Sequence, residues 1–136
     1  MPYYVVEKAG EALDRTGKSL CGAKILILGV AYKKDVDDKR ESPALRIIQL
    51  LAKRGAEVVY HDPHVPMFRG LRHYPEIEMK SVGLTEDALG RADLVVLVTD
   101  HTAYDYAFIE KHAKCIVDTR NAFERNGIGS GKIIKA

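Results

Sequence analysis

The sequence predicts an α/β fold: a doubly wound, mostly parallel sheet of five or six strands preceded by a helix. Short continuous apolar runs end at glycine or polar residues, and stretches of helical spacing separate them. The length of 136 residues suits one packed domain. Composition agrees, at 46% hydrophobic and 29% charged. A chain of this size hides roughly two-thirds of the surface it exposes when unfolded.

Residues 3–16 place Val5, Ala9, Ala12 and Leu13 on one helical stripe, and Gly17 ends it. Taken alone, that stripe would leave Val5, Ala9 and Leu13 wet, which predicts self-association. Residues 24–29 form an apolar run closed by Gly29, the pattern of a strand buried on both faces. Ser42 and Pro43 then supply an N-cap and a proline at the first helical position; Leu45, Ile48, Leu51 and Ala52 continue the helix until Gly55. Residues 57–62 complete a right-handed strand–helix–strand unit. Residues 63–83, punctuated by Pro63, Pro66 and Pro75, are the least regular and hold one short strand near 78–82. Thr85 caps a short helix through Ala88 and Leu89, residues 94–98 are another buried strand, and residues 106–113 are a helix around Phe108 and Ile109. Strands at 115–118 and 132–135 finish a Rossmann-like alternation.

The 21 Lys and Arg against 19 Asp and Glu leave a formal charge of +2, with both signs mixed along the chain. This gives no basis for a general nucleic-acid or membrane-surface binder. The longest apolar stretch, residues 25–31, is far short of the ~18 needed to span a bilayer. The first eight residues lack the basic start and apolar core of a secretory signal, so a cytoplasmic location is expected. Cys21 and Cys115 are isolated thiols without CxxC spacing, which fits a reducing compartment and structural roles.

Ligands of open α/β sheets bind beyond the carboxyl ends of the strands. The residues there are Tyr32, Lys33, Lys34 and Asp35; His61 and Asp62; Thr99, Asp100 and His101; and Asp118, Thr119, Arg120 and Asn121. Cations, hydroxyls and carboxylates on one edge suit a phosphorylated, polyhydroxyl ligand, although solvated loops are polar too. Lys33 and Arg120 are the cations best placed for phosphate. A dinucleotide cradle needs G-x-G-x-x-G after the first strand, and this chain offers Gly29 alone. Asp62 sits where an acidic ribose partner would, a weak signal by itself. Glycines 127, 129 and 131 read as a flexible turn. Asp35, Asp37, Asp38 and Glu41 precede a helix whose dipole favours negative charge, a better account than Mg²⁺ binding. His61 and His64 flank Asp-Pro, which matches no standard zinc spacing.

The stretch Gly29-Val30-Ala31-Tyr32-Lys33-Lys34-Asp35-Val36-Asp37-Asp38-Lys39-Arg40-Glu41-Ser42-Pro43-Ala44 closely resembles the C-terminal, UDP-binding domain of the UDP-glucose/GDP-mannose dehydrogenase family. His61-Asp62-Pro63, Thr99-Asp100-His101 and Asp118-Thr119-Arg120-Asn121 resemble that domain in the same order, so the likeness covers nearly the whole chain. It implies a large NAD-dependent enzyme that oxidises a sugar C6 alcohol twice, through an aldehyde held on a cysteine, to a UDP-uronic acid for surface polysaccharide. In such enzymes the residues matching Tyr32, Lys33 and Arg120 contact the nucleotide-sugar, and the one matching Arg40 reaches the cofactor. Residues 1–20 resemble the end of the interdomain, dimerisation helix, and 21–136 the UDP-binding domain, which implies a homodimer or higher assembly. The NAD-binding half and the segment with the catalytic cysteine are missing, so neither Cys21 nor Cys115 inherits that role and the chain alone is expected to be inactive. Residues 61–66 and 132–136 look most similar to bacterial members acting on UDP-N-acetylhexosamines.

Two other readings remain: a stand-alone nucleotide-binding regulatory module, and a phosphoacceptor receiver domain. The latter needs an aspartate ending its third strand and a lysine after its fifth, where this chain has Asp118-Thr119-Arg120.

Overall fold

The computed structural model describes residues 2–31, 42–71 and 73–136. In chain order the elements are α1 (Pro2–Asp14), β1 (Lys24–Leu28), α2 (Pro43–Lys53), β2 (Glu57–His61), β3 (Met67–Phe68), β4 (Met79–Lys80), α3 (Glu86–Arg91), β5 (Leu94–Leu97), α4 (Tyr106–His112), β6 (Ile116–Asp118), α5 (Ala122–Arg125) and β7 (Ile133–Lys135). Five strands form a parallel sheet in the order β2-β1-β5-β6-β7, and β3 and β4 pair as a separate antiparallel hairpin. The expected α/β sheet is therefore observed, with the irregular stretch after β2 holding two short strands where one was expected.

Local chemistry sets the helix starts. Ser42 caps α2, its hydroxyl accepting the Ala44 N–H, and Pro43 costs no hydrogen bond at that position. Thr85 caps α3 through Ala88, and Asp105 caps α4 through Phe108. At the far end of α4 the Lys132 amine donates to the carbonyls of Glu110 and Ala113, satisfying acceptors the helix leaves open.

The central strands are apolar on both sides because both faces are covered. Ile25 and Ile27 face α1 and α2, whereas Leu26, Leu28, Val95 and Leu97 face the layer that includes Leu89, Ile109 and Phe123. The stripe expected to be wet is not: Val5, Ala9 and Leu13 are each 0% exposed. α1 lies against α2 and over β5 and β6, so this chain buries its own first helix. The large apolar side chains left exposed among the described residues are Tyr3, Tyr4 and Val59.

Candidate functional site

All five strands run the same way, and their register places His61, Leu28, Leu97, Asp118 and Lys135 in one row at the carboxyl edge. Strand order reverses between β1, which leads through α2 to β2 on one side, and β5, which leads to β6 and β7 on the other. In open α/β sheets such a reversal marks where ligands bind, here beyond the carboxyl ends of β1 and β5. A cleft of about 490 Å³ lies elsewhere, between α3 and the amino ends of β1 and β2, where Lys24, Glu57, Asp87 and Arg91 mix charges of both signs.

Several polar residues at the carboxyl edge turn inward. Asp62 is 2% exposed, and one oxygen accepts the Val30 and Ala31 N–H groups at 2.8 and 3.1 Å while the other accepts the His64 N–H at 2.8 Å. His101 Nε2, also fully buried, lies 2.9 Å from the first of those oxygens. Burial pushes the Asp62 carboxyl up, but the bonds from His101, Val30 and His64 outweigh it and hold the group below its ordinary value. Around the pair, Tyr104 donates to the His61 carbonyl, Tyr106 to the His101 carbonyl and the Thr99 hydroxyl to the Ala31 carbonyl. Burial holds the neighbouring His61 imidazole below its usual range. Asp62, the candidate ribose partner, thus ties the ends of β1, β2 and β5 together, with its oxygens committed to the protein.

The same close packing decides the dinucleotide question. Gly29 has a φ of 88°, and a Cβ there would fall 2.4 Å from the Thr99 Cβ. The bare backbone at Gly29 is used for contact with the β5 end, and its neighbouring N–H groups are spent on Asp62. The backbone of residues 29–31 is therefore not open to a pyrophosphate.

Arg120, by contrast, is exposed, and it is held at three points. Its N–H donates to Asp118 Oδ1 and its Nε to the Val98 carbonyl, each at 2.9 Å. Its own carbonyl accepts from Arg125 Nη2 at 3.1 Å, and the same nitrogen pairs with Asp100 Oδ2 at 2.6 Å. Asp118 is 1% exposed, and its second oxygen accepts the Phe123 N–H, holding the start of α5. Among the described residues no carboxylate pairs with the Arg120 guanidinium, so its terminal nitrogens can meet an anion.

Of the other sequence candidates, Tyr32, Lys33 and Arg40 lie outside the described residues, as do Lys34, Asp35, Asp37, Asp38 and Glu41. No group of three or more His, Cys, Asp or Glu among the described residues could hold a metal ion. Arg125 was missed by sequence reading, because nothing in its spacing announces a bond to Asp100, 25 residues earlier.

The family model described as "UDP-glucose/GDP-mannose dehydrogenase family, UDP binding domain" matches residues 26–125. The chain belongs to this family. UDP-N-acetyl-D-mannosamine dehydrogenase of Methanococcus maripaludis is 31% identical over 134 residues, covering 93% of this chain and 29% of the relative. NDP-N-acetyl-D-galactosaminuronic acid dehydrogenase of Ralstonia nicotianae is 28% identical over 131 residues, covering 95% and 29%. The crystal structure of NDP-N-acetyl-D-galactosaminuronic acid dehydrogenase from Methanosarcina mazei superposes with a TM-score of 0.78 at 27% identity, over 99% of this chain and 28% of that one. The chain thus spans about 29% of the length of the curated dehydrogenases it matches. The family match takes in the carboxyl ends of β1 and β5, Asp62, His101 and Arg120 together.

Proposed function

We propose that this chain binds the UDP end of a nucleotide-sugar within an NAD-dependent UDP-sugar 6-dehydrogenase. In that reading UDP lies across the carboxyl edge of the sheet, with Arg120 meeting the diphosphate or the sugar and Tyr32 and Lys33 contributing from the residues after β1. The single observation that carries it is the anchored Arg120 at the carboxyl edge of a UDP binding domain, with no described carboxylate paired to its guanidinium. Residues 1–20, which carry α1, are the end of a segment linking to a further domain, and residues 21–136 are the UDP-binding unit.

NAD belongs to the remainder of such an enzyme, since Gly29 and Asp62 are spent on internal contacts. Bound there, it would supply the hydride acceptor for oxidation at C6; Arg40 is the residue of this chain that would reach it. The reactive cysteine also lies in that remainder, so this chain alone is inactive. Cys115 is buried and its thiol is pushed up by burial, which suits a packing role. The relatives' names favour a UDP-N-acetylhexosamine, a surface-polysaccharide precursor, as substrate. A cytoplasmic homodimer or higher assembly completes the reading.

Calorimetric titration with UDP at low salt tests it, beside Lys33→Ala and Arg120→Ala variants and an NAD control. Saturable UDP binding, weakened by either substitution and unmatched by NAD, is the expected result. A folded chain that ignores UDP overturns the assignment of the site to this chain. UDP binding untouched by both substitutions overturns the residues named.

A further inference from the structure

We propose that Arg125 and Asp100 are positioning residues that fix the direction in which Arg120 presents its guanidinium. The proposal rests on Arg120 binding the nucleotide-sugar, as set out above. Arg120 occupies a turn with little regular structure to hold it. α5, which follows, has four residues; Asn121 ahead of it is in the left-handed region at φ 57°, and its side chain makes no capping bond. The turn is held instead by side chains. Asp118 takes the Arg120 N–H, and Arg125, reaching back from the last residue of α5, donates to the Arg120 carbonyl.

Arg125 is itself steadied by Asp100, which comes from the loop after β5. The Asp100 side chain is 15% exposed against 51% for Arg125, so the carboxylate is the more fixed end of the pair. The chain of contacts runs from the β5 loop through Asp100 and Arg125 to the Arg120 backbone. With Nε also committed to the Val98 carbonyl, the plane of the Arg120 guanidinium is set before a ligand arrives, and its terminal nitrogens form a ready fork for an anion. Preorganisation of this kind raises affinity by removing the cost of ordering a long side chain at binding.

A competing account makes Arg125 a second cation that attracts the diphosphate through space. The two accounts give opposite signs for Asp100→Asn. Removing a negative charge strengthens diphosphate binding if Arg125 acts by charge; loosening the clamp weakens it if Arg125 acts by position. Both side chains lie at the surface or partly so, and circular dichroism and melting will show that the variants fold.

The experiment is UDP calorimetry on the chain, Arg125→Ala, Asp100→Asn, Arg120→Ala and the double variant Arg120→Ala/Arg125→Ala. We expect Arg125→Ala to weaken UDP binding by about 5- to 10-fold and Asp100→Asn by about 3-fold. We expect the Arg125→Ala effect to vanish once Arg120 is already alanine. Unchanged or tighter binding by Asp100→Asn, or an Arg125→Ala loss of equal size with and without Arg120, overturns the clamp while leaving the nucleotide site intact. Full affinity in Arg120→Ala removes Arg120 from the site and overturns the clamp while UDP binding stands, and no UDP binding by the folded chain overturns the nucleotide reading and the clamp with it; neither result needs an Arg125 variant.

Discussion

Replacing Asp62 by alanine will destabilise the chain severely. The substitution strips the partner from the N–H groups of Val30, Ala31 and His64 and from the buried His101 imidazole. Each donor left dry costs roughly 1–3 kcal/mol, but water admitted to the small space recovers part of the sum. Breaking one side of a buried pair typically costs about 3–5 kcal/mol, which we take as the expected loss. That is a large share of a whole domain's stability of about 5–15 kcal/mol. Asp62→Asn gives an internal control. Its amide oxygen can keep the Val30 and Ala31 bonds, while its NH₂ faces the His64 N–H donor, so about 1–2 kcal/mol should go. Urea unfolding followed by circular dichroism measures both. The carboxyl is held below its ordinary value of 3.8 in the folded chain, so its contribution is complete above that pH and disappears as pH falls through the lower, folded value. The acid limb of stability should therefore be shallower in Asp62→Asn. An alanine variant within about 1 kcal/mol of the parent would refute the view that Asp62 holds the three strand ends.

Other substitutions probe the packing. Gly29→Ala combines a strained φ of 88° with a Cβ 2.4 Å from that of Thr99, and should cost about 2–5 kcal/mol by the same urea assay. Leu13→Ala, at a position 0% exposed, should cost about 2–5 kcal/mol; a surface-like loss below about 0.5 kcal/mol would mean that α1 is not seated in the core. Under native conditions a mass-spectrometric alkylation time course should label exposed Cys21 well before Cys115, which is buried and has a raised thiol pKa.

Much of the fold could be read in advance because each large element announces itself locally. The Ser42-Pro43 start of α2, the glycine after β1 and the unbroken apolar runs of β1 and β5 are signals a short window contains. β3, with two residues, and α5, with one turn and no side-chain cap, are too short to show a period. The site was legible as an edge but not as a set of roles. Sequence brings polar residues to the strand ends; whether they face ligand or protein depends on distant neighbours, 32 and 39 positions away for Asp62 and 22 for Arg120. Asp62 faces Val30 and His101, so its resemblance to a ribose partner misleads, while Arg120 is exposed and only its Nε is bonded to Val98. The helix α1 shows the same limit: its stripe correctly marks a buried face, but only the tertiary structure reveals that α2 and the sheet cover it.

The margin of the sheet at β7 is three residues long, and lysines bracket it. Lys132 is tied back to the end of α4, and Lys135 pairs with Glu124. A strand from another molecule trying to lengthen the sheet here would find few free backbone groups and a cation at each end. At the β7 margin, growth of the parallel sheet along its own hydrogen-bonding direction is thereby discouraged.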